Sequence, residues 1–386
     1  METEKLYYAD PFLKTFTATV LDCQPGKNGF VVTLDRTAFY PEGGGQPTDQ
    51  GTLDGAAVTD VHEKNGVVLH NVDSAVEIGK TVTGVIDWAR RFDHMQQHSG
   101  EHLVSGLIHA RFGYENVGFH LGADLVTIDF NGEVDEQALQ ELERAANEAV
   151  WADFAPHIWY PEPDELAHLP YRSKKALTGA VRLVQFGDID LCACCGTHVA
   201  HTGEIGLIKL FSTTHFRGGS RIEMACGGRA LAVLNALCAQ NRDISVRLSA
   251  KPVQTAAAVA RLASERTEAQ QRAAALEDRL FALLAQDGQT LRFEPPMPPE
   301  SVRRLADAMV RANEARSAVF AGQDGAWHYA MADPSGDLRG LVKRLNAALQ
   351  GRGGGKPGFV QGSLAASRTD IEAFFTAESC SMPDPA

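Results

Sequence analysis

Two imidazoles four residues apart, in His98-Ser-Gly-Glu-His102, fall on one face of a helix about one turn from each other and can share one ion. A second pair repeats the spacing. Cys194-Cys-Gly-Thr-His198 brings a thiolate and an imidazole together, with a glycine to turn the backbone. Combined, they form a Cys-His₃ donor set. Sulfur with imidazole nitrogen suits tetrahedral Zn²⁺ and suits Mg²⁺ or Ca²⁺ poorly, so one zinc ion per chain is expected. Three cysteines crowd this stretch. Cys194 gives the four-residue spacing to His198, and Cys192 and Cys195 stay open as alternatives. Four protein ligands close the shell, so the ion is either structural or exchanges a ligand for water or substrate.

His98-x-x-Glu101-His102 also matches the inverzincin peptidase pattern, with Glu101 as general base. A peptidase of that kind takes a distant carboxylate as third ligand and leaves one position open; here the partner segment supplies Cys and His. A further motif is Thr37-Ala-Phe-Tyr-Pro-Glu-Gly43-Gly-Gly-Gln46. It lacks the ending of a P-loop and does not fit the dinucleotide fingerprint. Gly43, Gly44 and Gly45 let the backbone approach a ligand closely or take positive φ. Gln46 offers a donor and acceptors to a small polar ligand. A plain hairpin loop is the competing reading.

The elements that position these groups follow from pattern. The first 90 or so residues carry β-rich runs (Phe30-Val-Val-Thr-Leu, Val67-Val-Leu-His, Thr81-Val-Thr-Gly-Val-Ile) between Gly, Pro, Asn and Asp. Helical periodicity predicts helices over Arg91–Arg111 and Asp135–Ala152, with strands around them. A helical section is expected over Arg229–Leu284. Within it Val259, Leu262, Arg266, Ala269, Ala273, Leu276, Leu280 and Leu283 form a short heptad seam, either packed on its own chain or serving as a spacer or dimer arm. After the breaker Glu294-Pro-Pro-Met-Pro-Pro a small α/β unit is expected: helix Ser301–Ala315, strands Ala318–Ala321 and Trp327–Ala332, helix Leu338–Gln350, a Gly-rich turn, strand Phe359–Gln361 and helix Thr369–Ala377.

The 386 residues correspond to two or three domains, with 44% hydrophobic and 22% charged residues, an ordinary globular composition. No apolar run reaches the ~20 residues that span a bilayer, and the N-terminus lacks the apolar core of a signal peptide. Seven cysteines, three of them clustered, fit a reduced cytoplasmic chain with a metal site. The net charge of −13 argues against a non-specific nucleic-acid binder. It is uneven: residues 1–90 carry 7 Lys/Arg against 13 Asp/Glu, and residues 301–372 carry 10 against 7, so a polyanion contact belongs to the C-terminal part or to local patches.

The order TAFYPEGGGQPTDQG, HMQQHSGEHL, CCGTHV, TGEIG, RIEMACGGRA resembles the editing region of alanyl-tRNA synthetases, and more closely the free-standing AlaX alanyl-tRNA editing proteins. It runs from about residue 10 to residue 235. The tail RGLVKRLNAALQGRGGGKPGFVQGSL is similar to the C-terminal domain those synthetases share with DHH-type phosphoesterases, and marks the long AlaX type. One position departs from the family's usual CGGTH: Cys195 stands where a glycine is usual.

The resemblance implies an α+β fold: an N-terminal β-barrel with the Gly-rich loop (1–87), a zinc-dependent editing domain (88–228), a helical or coiled-coil spacer (229–290) and a C-terminal α/β domain (291–386). It also implies a trans-editing deacylase, without aminoacylation of its own. Its substrate is alanine tRNA wrongly charged with serine, and glycine is a second expected cargo. In that reading Thr37 reads the serine hydroxyl, the Gly43–Gln46 loop shapes the pocket, and Thr37, Gln46, His98 and His102 are the catalytic candidates. An organising zinc is favoured. His120 and Asp129 are further pocket candidates, with Arg217 and Arg221 for phosphate. Arg339, Lys343, Arg344, Arg352 and Lys356 are the tRNA-body contacts. Self-association as a homodimer, through the spacer or the C-terminal domain, is the expected assembly. A zinc-stabilised tRNA-binding module without activity is the non-enzymatic alternative.

Overall fold

In the computed structural model, residues 2–173 and 179–380 are described. The fold is mixed α+β, and the chain divides into two compact units, Met1–Asp243 and Ile244–Ala386. None of the described helices is long and apolar enough to cross a membrane.

In the first unit, six strands hydrogen-bond in a closed ring: Thr15–Gly26, Gly29–Leu34, Val67–Val72, Ala56–Lys64, Gly51–Leu53, Thr81–Ile86 and back to the first. All neighbours are antiparallel. Strict alternation drives this: Thr81–Ile86 exposes Thr81, Thr83 and Val85 and buries Val82, Gly84 and Ile86. The inward set, with Val32, Leu34, Phe39 and Val61, is the ring's own core.

The helix Trp88–Phe112 follows at once. Asp87 caps its first turn by accepting from Arg90 N, and Gly113 at φ 71° closes its end. Over its middle it is buried on nearly every face, because a four-stranded antiparallel sheet, helix Glu136–Trp151 and a three-stranded sheet surround it. The four-stranded sheet runs Ile208–Phe216, Gly219–Cys226, Val126–Phe130, Asn116–Leu121; the other runs His157–Trp159, Leu183–Phe186, Asp190–Ala193. Close approach depends on small residues. A Cβ at Gly100 would meet Cys226 Sγ at 2.3 Å.

The helical section expected over Arg229–Leu284 is instead two helices, Gly227–Arg247 and Thr255–Leu284. The break has local causes: Ser249 adopts φ 48°, Ser245 Oγ donates to Ala250 O, and Pro252 has no N–H to continue a helix. The seam is not a core. Leu262, Leu276, Leu280 and Leu283 are all at least half exposed, while Phe281 and Ala285 make the packing contact with helix Pro299–Asn313. Arg304 reinforces that contact by pairing with Glu277 and Asp278.

The second unit centres on a five-stranded sheet: Leu291–Glu294, Ser317–Gln323, Ala326–Ala332, Phe359–Leu364, Arg352–Lys356. Ala318 and Phe320 face one core with helix Arg339–Ala348, and Val319 and Ala321 face the other with helix Pro299–Asn313. The expected Gly-rich turn is corrected: Arg352–Lys356 is an edge strand, paired antiparallel with Phe359–Leu364 from Arg352↔Ser363 to Lys356↔Phe359. Three glycines weaken the β pattern by sequence, but an edge position asks little of side chains.

Candidate metal centre

Helix Trp88–Phe112 presents His98 and His102 side by side, their rings stacked with centroids 5.3 Å apart. The segment after strand Asp190–Ala193 brings Cys194 and His198 against them. Cys194 Sγ lies 3.4 Å from His98 Nε2 and 3.5 Å from His198 Nε2. One donor atom from each of His98, His102, Cys194 and His198 lies within 4.8 Å of the others. Zn–S and Zn–N bonds of about 2.3 and 2.0 Å, meeting at a tetrahedral angle, hold S and N about 3.5 Å apart, so the donor set fits such an ion. Cys192 belongs to a different grouping, with His102 and Asp190.

A second layer of buried partners aims each ring. His98 Nδ1 is 2.9 Å from Gln46 Oε1, His102 Nδ1 is 2.7 Å from Asp190 Oδ2, and His198 Nδ1 is 3.3 Å from Ser99 Oγ. In each case the far nitrogen is occupied and Nε2 faces the shared centre. Gln46 also accepts from Thr197 N (3.2 Å) and donates to Thr197 Oγ1 (2.9 Å), so one amide clasps both halves of the set to the glycine loop. Arg182 Nη1 donates to Cys194 O and Gly196 O. Gly196 has no alternative: a Cβ there would lie 2.1 Å from the His98 ring. Cys195, by contrast, is exposed and lines the cavity beside the set, so the turn accepts a side chain where the family usually has glycine.

Electrostatics favour a cation at the centre. Burial pushes the Cys194 thiol up, but His98, His198 and His102 outweigh it and hold the thiol well below its usual range. Burial lowers His102, yet the Cys194 sulfur and Asp190 raise it to about 10, so positive charge is drawn to this spot. Burial holds His198 at about 3, a neutral imidazole. The Cys192 thiol is raised by burial, which keeps it protonated.

A cavity of about 560 Å³ opens beside the set, lined by Gly44, Gly45, His98, Glu101, His102 and Phe119 among others. Gly44 and Gly45, at φ 61° and 87°, are among these lining residues. Gln46 is fully buried and spends its polar atoms on His98 and Thr197. Thr37 is fully buried, its hydroxyl 2.8 Å from His70 Nε2 and accepting from Phe39 N; it is not among the cavity's lining residues. Gly43 closes the tight turn with Gln46. Glu101 accepts from Ser105 Oγ at 2.7 Å and from Asn116 Nδ2. His120 is exposed, and Asp129 forms a two-point pair with Arg221, which lies over the Phe216 ring. Arg217 takes φ 48° at the hairpin tip.

In the second unit, Arg339 pairs with Asp337 and Arg344 with Glu378, both at 2.6 Å, whereas Lys343, Arg352 and Lys356 are exposed. Sequence reasoning missed Asp190, Ser99, Thr197 and Arg172, which orient the ligands or line the cavity. No spacing rule announces such partners, since they come from separate elements.

Two family models match: "tRNA synthetases class II (A)" over residues 3–90 and "Threonyl and Alanyl tRNA synthetase second additional domain" over residues 181–223. The alanyl-tRNA editing protein AlaX-L of Pyrococcus horikoshii is 35% identical over 242 residues, 60% of this chain and 60% of that protein. The alanine–tRNA ligase of Pyrococcus abyssi is 31% identical over 387 residues, 94% of this chain and 42% of the ligase. The alanyl-tRNA editing protein Aarsd1 of Danio rerio is 27% identical over 391 residues, 94% of this chain and 95% of that protein. The match thus spans less than two thirds of the length of AlaX-L and of the ligase. A crystal structure of the C-Ala domain from Aquifex aeolicus alanyl-tRNA synthetase is 18% identical and covers 23% of this chain and 87% of its own, with a TM-score of 0.21. Matches to AlaX-L and Aarsd1, both synthetase family models and the shared motif order make this chain similar to the AlaX alanyl-tRNA editing proteins and to the alanyl-tRNA synthetases.

Proposed function

We propose that this chain is a zinc-containing aminoacyl-tRNA deacylase that removes serine, and glycine as a second cargo, from mischarged alanine tRNA. The observation that carries the reading is the junction at Gln46, where the glycine loop and both halves of the Cys-His₃ set meet beside one cavity. The need for such an activity is physical. A synthetase pocket built for alanine rejects slightly different side chains by only ~10–200-fold. A second site that hydrogen-bonds a hydroxyl discriminates better, because alanine leaves its polar groups unpaired.

His98, His102, Cys194 and His198 would hold the ion, which when bound would organise these side chains at the cavity wall. Gly44 and Gly45 bring bare backbone to the substrate, and Gln46 and Asp190 keep the rings aimed. Thr37 is the motif's candidate reader of the serine hydroxyl, although His70 and Phe39 N engage its hydroxyl and it lies outside the cavity's lining. In the second unit Lys343, with Arg339 and Arg344, is the candidate tRNA-body contact. The segments 1–87, 88–228, 229–290 and 291–386 then serve as loop-bearing barrel, deacylase, spacer and tRNA-binding domain.

The test is incubation of the full chain with seryl- and alanyl-tRNA(Ala), with and without chelator, beside a peptide control. Selective, chelator-sensitive release of serine is expected. Peptide cleavage would support the HxxEH peptidase, and tRNA binding without release would support an inactive module. Thr37→Val should lower the seryl-to-alanyl preference by about tenfold, the worth of one buried hydrogen bond; an unchanged ratio removes Thr37 from that role.

A further inference from the structure

Arg172 contributes a second charged group to the metal cavity, one that no motif marks. Its side chain is nine-tenths buried, at 9% exposure, yet it lines the cavity. Its backbone is fixed on strand Asp190–Ala193 by Arg172 N to Leu191 O and by Ala193 N to Arg172 O. Its Nε donates to Asp190 Oδ1 at 2.7 Å, while Asp190 Oδ2 meets His102 Nδ1 at 2.7 Å. One carboxylate therefore anchors both the metal-side imidazole and the guanidinium. That leaves Nη1 and Nη2, which make no hydrogen bond to another described residue. Glu101 on the facing helix also lines the cavity and favours the charged form of Arg172, but it forms no ion pair with it.

A guanidinium stays charged under all physiological conditions, and its planar fork is suited to paired oxygens. Burying one costs heavily unless its donors are used. Held through Nε alone, this fork has two donor groups left for a ligand. Glu101, on helix Trp88–Phe112, also lines the cavity and carries the opposite sign.

We infer that Arg172 is the anion receptor of this site, receiving an oxygen of the substrate that bears or develops negative charge. This rests on the deacylase reading, since an aminoacyl-adenosine end offers two such oxygens. One is the ester carbonyl: as the oxygen of water bonds to the carbonyl carbon, negative charge moves onto the carbonyl oxygen, and it returns when the bond to the ribose oxygen breaks and that oxygen takes a proton. The other is the phosphodiester on the 5′ side of the terminal adenosine. Both call for a fixed fork of donors, and Asp190 fixes this one.

The test reads binding, so it does not depend on turnover. The full-length zinc-loaded chain, and its Arg172→Lys and Arg172→Gln variants, are titrated calorimetrically with adenosine carrying a 3′-serylamide, and with its 5′-monophosphate. Arg172→Gln should bind the phosphorylated analogue at least about tenfold more weakly, the range for a lost charge-assisted hydrogen bond. An equal loss on the nucleoside analogue assigns the carbonyl as source; loss confined to the phosphorylated one assigns the phosphate. Arg172→Lys should recover only part of the affinity, and ethylguanidinium should restore binding to Arg172→Ala. Unchanged affinity of Arg172→Gln for both analogues overturns the inference. So does a loss that tracks a fall in bound zinc, which would mean that Arg172 acts only by steadying Asp190 and His102. A wild-type chain that binds the analogue but releases no serine from seryl-tRNA(Ala) would fail the deacylase reading and leave the anion receptor standing.

Discussion

The two halves of the donor set are built on different principles. His98 and His102 sit on a capped helix buried in a hydrophobic core, so their spacing is guaranteed by regular backbone geometry. Cys194 and His198 sit on irregular chain, and their place depends on Gln46, Arg182, Ser99 and an obligatory Gly196. The helical half would keep its form without the loop half; the reverse does not follow. A regular element positions chemistry through its period, and a loop must be positioned by buried polar partners drawn from elsewhere.

Removing a donor should erase the contrast. Cys194→Ser and His102→Ala are each expected to lose bound zinc and at least about 100-fold in serine release, beyond the 10–100-fold typical of outer partners. Retained zinc with full activity in either variant would break the four-donor account. Their structural effects should differ: amide exchange should rise around residues 190–200 in the first, and stay local to the His102 ring in the second.

Gly196→Ala and Cys195→Gly test the loop half at adjacent positions. The first drives a Cβ into the His98 ring and should lower zinc affinity by about tenfold or more; the second removes an exposed side chain that is not one of the four donors and should leave affinity within about twofold. Competitive chelator titration checks both, and equal effects would mean the turn is not pinned as described.

The smallest expected effect separates the ring from the helix. Burial lowers His70 to about 4, and burial with nearby arginines lowers His94 to about 3, both from 6.5. The unfolded chain takes up a proton near pH 6.5 that the folded chain refuses until well below. Each group therefore contributes stability that is present above pH 6.5 and is lost as pH falls toward its folded value. For His70 the full loss is roughly 3 kcal/mol. Urea unfolding between pH 7 and pH 4.5 should show stability falling with acid, with a shallower slope in His70→Gln. An identical slope would contradict the role of His70.

Legibility in sequence followed the same divide. The helices Arg91–Arg111 and Asp135–Ala152 were readable within a few residues because period and caps agree. The HxxxH and CxxxH pairs were readable because ligand spacing is local. The break at Ser249–Pro252 was hidden inside an otherwise helical composition, and the edge strand Arg352–Lys356 was hidden by its glycines. The exposed seam on Thr255–Leu284 carried a core-like pattern, although the packing face is set by Phe281 and Ala285. Gln46 was legible as important, but its partners His98 and Thr197 were not. Asp190 and Arg172 gave no signal, because a buried pair across separate segments leaves no period to read.

The most direct test is X-ray absorption at the zinc edge on full-length chain, purified without added metal, with elemental analysis of the same sample. A Cys-His₃ zinc site gives one zinc per chain with three nitrogen neighbours at about 2.0–2.1 Å and one sulfur at about 2.3 Å. Folded protein without zinc, or a shell lacking sulfur, would contradict it.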